Sequence, residues 1–327
     1  MRLQTLGLAV TLAVALLAPL ATDAQQSTKV YRIGFLGAIS ASAYAPYTKA
    51  FREGLYDLGH VEGKDIVIEY RWAEGRYERL PDLAAELVGL QVDLIVTHGP
   101  VAYRAAKDST TTIPIVMAAI GDAEALGLVA SLSRPGGNIT GSSFLLPELT
   151  AKRVELLKEA LPGVSRVAVL VNPGNPVFPI LLQAMQTTAR SLGLELKAVE
   201  VRTIKELDSA FSSIAKWQAH ALAVTEDAVF LSNAKRIAEL AAKNRLPTIG
   251  FTQYAEAGGL MSFGPNLPSL FRRAAYYVDR IMKGSKPADL PVEQPTKFEL
   301  VLNRKTAQTL GITFPAKLLV LADDVVQ

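Results

Sequence analysis

The sequence predicts an α/β protein of two doubly wound, mostly parallel lobes, joined by a hinge and separated by a central cleft. Three observations carry this expectation. Short apolar runs alternate with segments of helical period from Tyr31 onward, the pattern of a parallel sheet with crossover helices. The alternation breaks at the turn-forming cluster Arg134-Pro135-Gly136-Gly137-Asn138 and then restarts. About 300 residues follow the apolar N-terminal segment, enough for two domains at ~100–200 residues each.

The elements follow in order. Tyr31 to Gly37 reads as a first strand. Tyr47, Phe51, Leu55 and Leu58 share a helical face that Gly59 stops. Asp65 to Trp72 alternates as a second strand, Leu80 to Leu90 is helical, and Val92 to Val96 is a short buried strand. Gly99-Pro100 opens another helix, and Ile113 to Ala119 is the next strand. Ile139 to Ser142 is expected as a strand that leaves the first lobe. In the second lobe, Val167 to Val171, Glu195 to Val201, Ala219 to Val224 and Pro247 to Gly250 read as strands. Helices are expected at Ile180–Leu192, near Lys205–Lys216 and at Ser232–Asn244, the last with Ser232 as N-cap. Leu260 to Gly264 leads into a helix from Leu267 to Lys283. Pro287, Pro291 and Pro295 then mark an extended connection to a late strand, Phe298 to Leu302. Both lobes are thus Rossmann-like. The first is expected over residues 29–141 plus about 264–286, the second over 142–263 plus about 287–327.

Residues 1–24 read as a secretory signal. Met1-Arg2 is a basic start, Leu3 to Leu20 is apolar without a charge, and Thr22-Asp23-Ala24 has small side chains at both ends. The run approaches the ~20 residues that span a bilayer, so a retained anchor is the alternative. Pro19 and the small exit residues favour cleavage after Ala24. An exported protein has no access to cytoplasmic ATP, nicotinamide cofactors or chromosomal DNA. The net charge of +3, with scattered basic residues, gives no electrostatic case for nucleic acid. There is no cysteine, which excludes disulfides, thiolate zinc sites, cysteine nucleophiles and the lipid-carrying residue of a lipoprotein. The expectation is a periplasmic protein that is not lipid-anchored, monomeric and without a cofactor.

Catalytic patterns are missing. His60, His98 and His220 have no metal spacing, and neither a G-x-S-x-G elbow nor a phosphate loop occurs. His98 follows a strand, where it would line a cleft or serve only as loop polarity. Glu226-Asp227 also follow a strand. Adjacent carboxylates on one loop suit charge-assisted binding better than acid–base work, because no partner base is evident.

Several stretches resemble one family. They include Arg32-Ile33-Gly34-Phe35-Leu36, Phe51-Arg52-Glu53-Gly54-Leu55 and Val61-Glu62-Gly63-Lys64-Asp65-Ile66-Val67-Ile68-Glu69-Tyr70-Arg71. Gly127 to Leu132 with Arg134 to Gly141, Glu256 to Ser262 and Pro287 to Leu300 complete the set. Together they look like the ABC transporter substrate-binding proteins whose studied members include tryptophan and tyrosine binders. The resemblance spans nearly all of the chain after the export signal. It implies a type I periplasmic-binding-protein fold, a small-molecule ligand, and an inner-membrane permease driven by a cytoplasmic ATPase. Aromatic-amino-acid binders of the family carry Asp-Asn-Thr after a strand of the second lobe; Glu226-Asp227-Ala228 stand there in this sequence. The family's Thr-Pro turn is represented by Gly99-Pro100, and its Gly-Asp by Gly121-Asp122. The ligand is therefore an amino acid or a related compound, with tryptophan itself disfavoured.

Ligands of open parallel sheets bind beyond the carboxyl ends of the strands. The expected binding residues are therefore Ser40 and Tyr44; Thr97, Gly99 and Pro100; Ile120 and Asp122; Asn172, Asn175 and Phe178; Glu226 and Asp227; and Phe251, Thr252 and Tyr254. Tyr44, Phe178 and Tyr254 are expected either to sandwich the ligand or to pack within the lobes. No catalytic or metal-binding residue is expected. A periplasmic sensor partner is the alternative to a transport protein, and a secreted hydrolase is the third reading; the latter lacks both nucleophile and base.

Overall fold

The computed structural model describes residues 29–327, so the expected export signal, 1–24, lies outside the described residues. The first lobe runs β1 (Tyr31–Gly37), α1 (Ala41–Asp57), β2 (Ile66–Trp72), α2 (Leu80–Gly89), β3 (Leu94–His98), α3 (Pro100–Ser109), β4 (Ile115–Gly121) and β5 (Ile139–Phe144). Its five strands are ordered β2-β1-β3-β4-β5 and pair in parallel. β4 is buried at every residue, as a strand covered on both faces must be, and its sequence is correspondingly apolar.

The second lobe runs α4 (Leu146–Ala160), β6 (Arg166–Val171), α5 (Phe178–Ser191), β7 (Glu195–Glu200), α6 (Leu207–Lys216), β8 (Ala221–Val224), α7 (Ala228–Ser232), α8 (Ala234–Lys243), β9 (Thr248–Gly250) and β10 (Met261–Pro265). The chain then returns to the first lobe as α9 (Leu267–Met282). It comes back to the second as β11 (Phe298–Asn303), α10 (Arg304–Leu310), α11 (Ala316–Leu321) and β12 (Asp324–Val326). The seven-stranded sheet is ordered β12-β11-β10-β9-β8-β6-β7, with only the β10–β11 pair antiparallel. Separate apolar clusters, one around Val167, Val169 and Met261 and one around Leu170, Phe211 and Phe230, cover its two faces.

Helix α1 fixes α9 to the first lobe. Gly54 of α1 permits the contact, because a Cβ there would come within 2.7 Å of the Arg272 carbonyl oxygen and 2.9 Å of the Ala275 side chain. Phe271 then stacks on Tyr47 at 5.2 Å and meets Phe35 and Tyr44 edge or face on.

Strand pairing bears on where the lobes divide. β5 pairs with β4 from Ile139 to Phe144, beyond the expected division at 141/142. β10 ends at Pro265, beside the expected division at about 264. The stretch after α9 stays on the first lobe to Glu293, whose backbone bonds Gly141 and Ser143. Ser232 ends a short helix instead of capping a long one; Asp227 caps that helix, its side chain accepting from the Val229 N–H. The helix α4 and the three elements after β11 were not expected.

A second tie holds α9. His60 sits between two carboxylates, with Nδ1 2.8 Å from Asp65 and Nε2 2.9 Å from Asp279. Burial opposes its charge, but the hydrogen bonds to Asp279 and Asp65 outweigh burial and raise its pKa. A raised imidazole contributes stability that is complete below its unfolded value of ~6.5 and is lost as pH rises through the folded value. Urea unfolding of the wild type should thus lose, as pH rises above ~6.5, a stabilising contribution that His60→Gln lacks. Equal pH slopes for the two proteins would contradict this.

Candidate functional site

The carboxyl ends of β1, β3 and β4 face those of β6, β8, β9 and β10 across a narrow cavity of about 70 Å³. From the first lobe it is lined by Ala38, Ile39, Tyr44, Tyr77, His98 to Ala102, Gly121 and Phe144, and by Leu267 of α9. The second lobe contributes Leu146, Asn175, Val177, Glu226, Asp227, Ala228, Leu231, Phe251, Thr252 and Pro265. The walls are mainly apolar with a few polar groups, as in pockets for small molecules.

The polar groups are held by local structure. Asp227 is buried and accepts from Asn172 Nδ2 at 2.9 Å, Asn175 Nδ2 at 3.1 Å, the Val229 N–H at 2.9 Å and the Tyr77 hydroxyl at 2.7 Å. Burial raises its carboxyl pKa, against the pull of those four hydrogen bonds. Tyr77 lies in a 3₁₀ turn of the first lobe, so its bond to Asp227 crosses the cleft. Its own hydroxyl pKa is raised, by burial and then by the Asp227 charge. A second crossing bond joins the Tyr47 hydroxyl to Gln253 Oε1 at 3.0 Å. The lobes are thus in contact around the cavity.

Glu226 is engaged by Arg153 of α4, an arginine only 1% exposed. Arg153 donates through Nη1 at 2.6 Å and through Nη2 to Glu226, and through Nε at 2.7 Å to the Phe263 carbonyl. Gly264 leaves room for it: a Cβ there would lie 3.2 Å from Nη2. On the first lobe the Tyr44 hydroxyl lies 3.1 Å from His98 Nδ1. Burial lowers the His98 pKa to about 4, so the ring is neutral at neutral pH.

Eight of the expected residues line the cavity: Tyr44, Gly99, Pro100, Asn175, Glu226, Asp227, Phe251 and Thr252. The other seven do not. Ser40 caps α1, its Oγ accepting from the Ala43 N–H. Thr97 is spent inside the sheet, donating to the Leu36 carbonyl at 3.0 Å, and Ile120 is core. Asp122 takes a positive φ of 49° and caps the following turn through the Ala125 N–H. Asn172 sits behind Asp227, and with Phe178 it lines only a small adjoining hollow. Tyr254 is fully buried against Gly250 and Gly259. Of the two expected roles, packing describes all three aromatics: Tyr44 sits in the first lobe's core while bordering the cavity, and Phe178 and Tyr254 pack within the second lobe.

Tyr77 and Arg153 escaped sequence reasoning. Tyr77 follows β2 by a short turn, a position that the strand-end rule allowed. Arg153 falls on the stripe Leu146, Leu149, Thr150, Val154, Leu157 that buries α4. A charge on an apolar stripe signals an internal partner, but the sequence pattern does not mark the helix itself. Among the described residues, no group of side chains is placed to hold a metal ion, and no helix is long and apolar enough to cross a membrane.

Known proteins share this architecture. A tyrosine-binding protein of Clostridioides difficile (strain R20291) is 26% identical over 287 residues, which cover 88% of this chain and 82% of the relative. The crystal structure of a conserved domain protein from Vibrio cholerae superposes with a TM-score of 0.85 at 29% identity, covering 91% of this chain and all of that one. An ABC domain in complex with L-Trp from Streptococcus pneumonia gives 0.84 at 27% identity, with the same coverage. The model of the ABC transporter substrate binding protein family matches residues 32–326. With two α/β lobes of the type I periplasmic-binding-protein fold and a family match over nearly the whole described chain, this protein belongs to the ABC transporter substrate-binding proteins.

Proposed function

We propose that the protein captures a small, mainly apolar molecule in the interlobe cavity, closes around it, and delivers it without turnover to an inner-membrane permease coupled to a cytoplasmic ATPase. The supporting observation is the cavity itself: its lining comes from both lobes, and side-chain hydrogen bonds from Tyr77 and Tyr47 bridge them. A ligand that touches both lobes favours the closed arrangement through its differential affinity for it. Binding without chemistry fits the state of the two cavity carboxylates. Each is committed to internal partners.

The site assignment comprises the eight expected residues above together with Tyr77, His98 and Val177. The protein works as a monomer in the periplasm after removal of residues 1–24. N-terminal sequencing of protein from a periplasmic extract should begin at Gln25; a start at Met1 would contradict export by cleavage. Thermal unfolding with a compound panel tests the carrier role. A ligand at 100 times its dissociation constant stabilises by about 2.7 kcal/mol, and the compound should be recovered unchanged. Conversion of the compound would overturn binding without turnover.

A further inference from the structure

The charges at the cavity are already paired within the protein. Asp227 Oδ1 accepts from Asn172 and the Val229 N–H, and Oδ2 from Tyr77 and Asn175. Four donors fill the ordinary capacity of a carboxylate. Glu226 is held by the Arg153 guanidinium. No lysine or arginine lines the cavity among the described residues. We infer that the cleft selects an uncharged, mainly apolar ligand and disfavours a zwitterionic amino acid. This inference rests on the reading of the cavity as the ligand site.

Each charge of a zwitterion meets an obstacle. An ammonium group would need a lone pair of Asp227 or of Glu226; at Asp227 the direction across the cleft is taken by the Tyr77 hydroxyl, and at Glu226 the charge is already neutralised by the Arg153 guanidinium. Displacing that hydroxyl also strips the Ala228 N–H of its acceptor, 3.2 Å away. A ligand carboxylate finds no cationic side chain, and His98 is neutral because burial disfavours its charged form. The first turn of α3 borders the cavity at Pro100, Val101 and Ala102. Its helix end carries about half a unit charge and can hold an anion through backbone N–H groups, but Pro100 supplies no N–H and the Asp227 charge opposes an anion. Burying an unpaired ion is strongly unfavourable. An uncharged molecule avoids these costs. It would meet Ile39, Phe144, Val177, Leu231 and Phe251, and its polar atom would meet His98 Nε2, which has no protein partner among the described residues. Tyr77 thus occupies the place that an ammonium group would take and acts as a specificity residue.

Matched compounds test this. Calorimetry at pH 7 would compare L-tryptophan, tryptamine, indole-3-propionate and indole-3-propionamide, with the phenyl series alongside. The uncharged amide should bind at least ten-fold tighter than the amino acid of the same ring. An amino acid that binds as tightly as its amide would overturn the inference. Tyr77→Phe supplies a readout that does not depend on the best ring. Removing the hydroxyl costs every compound the closing bond but frees a lone pair of Asp227 for an ammonium alone, so the ratio of amine to amide affinity should gain at least ten-fold over the wild type. No gain in a variant with wild-type circular dichroism would also overturn it. An amino acid that binds tightly and draws the lobes together would sink the charge selection and leave the carrier role standing. Binding without any approach of the lobes would sink the carrier role itself.

Discussion

Arg153→Met should destabilise the second lobe by about 3–5 kcal/mol, the cost of breaking a buried ion pair from one side. The guanidinium is 1% exposed and serves both Glu226 and the Phe263 carbonyl. Truncation leaves Glu226 as a charge at the cavity wall without its counter-ion. The melting temperature should fall by roughly 10 °C, at about 2–4 °C per kcal/mol for a domain of this size. The double variant Arg153→Met/Glu226→Leu should recover most of the loss, because replacing a buried pair with apolar groups of similar volume is often neutral. Equal destabilisation in the single and double variants would show that packing, and not the charge pair, sets the stability here.

Asp227→Ala should have the largest effect on binding. It removes the acceptor of four donors drawn from both lobes. Hydrogen bonds to a charged group contribute about 1.5–3 kcal/mol. Losing the closing bond to Tyr77 should therefore weaken the tightest compound of the matched panel by about 30-fold, at 1.4 kcal/mol per factor of ten. Fold stability should also fall, by about 1 kcal/mol for the lost cap of α7 and about 1–3 kcal/mol for each buried amide, Asn172 and Asn175, left without its acceptor. Calorimetry and urea unfolding on the same preparation separate the two effects. Unchanged affinity would place the ligand elsewhere.

The fold was largely legible because both lobes obey simple patterning. β1 and β2 begin and end within a residue of their expected bounds, since apolar runs between glycines and charges leave few alternatives. The end of the first lobe was harder. Ile139 to Phe144 reads as a strand in either lobe, and only its pairing with β4 decides which. Gly141 shows the constraint: at φ 135°, a Cβ would collide with the Met117 backbone. α4 was missed because Leu146-Pro147 follows a strand directly and Arg153 interrupts its apolar face.

The lining of the cavity was legible in part for a related reason. The strand-end rule names loops that border the cavity but not which side chains turn inward. At Thr97 and Asn172 the backbone claims the polar group, or a neighbouring carboxylate does. Gly250 and Gly259 open a slot that swallows Tyr254 into the core. Tyr77 enters the cavity from the turn after β2, bringing the first lobe to Asp227. Sequence spacing carries none of this, because the partners lie 150 positions apart.

Closure of the lobes on a bound compound is the central claim, and spin-label distances measure it directly. The chain has no cysteine, so Glu78→Cys and Pro176→Cys, exposed positions on facing lobes, can be labelled without background. Adding a saturating amount of the tightest compound from the matched panel should draw the distance distribution to a single shorter peak. A compound that calorimetry shows bound one to one, yet that leaves the distribution unchanged, would contradict the account.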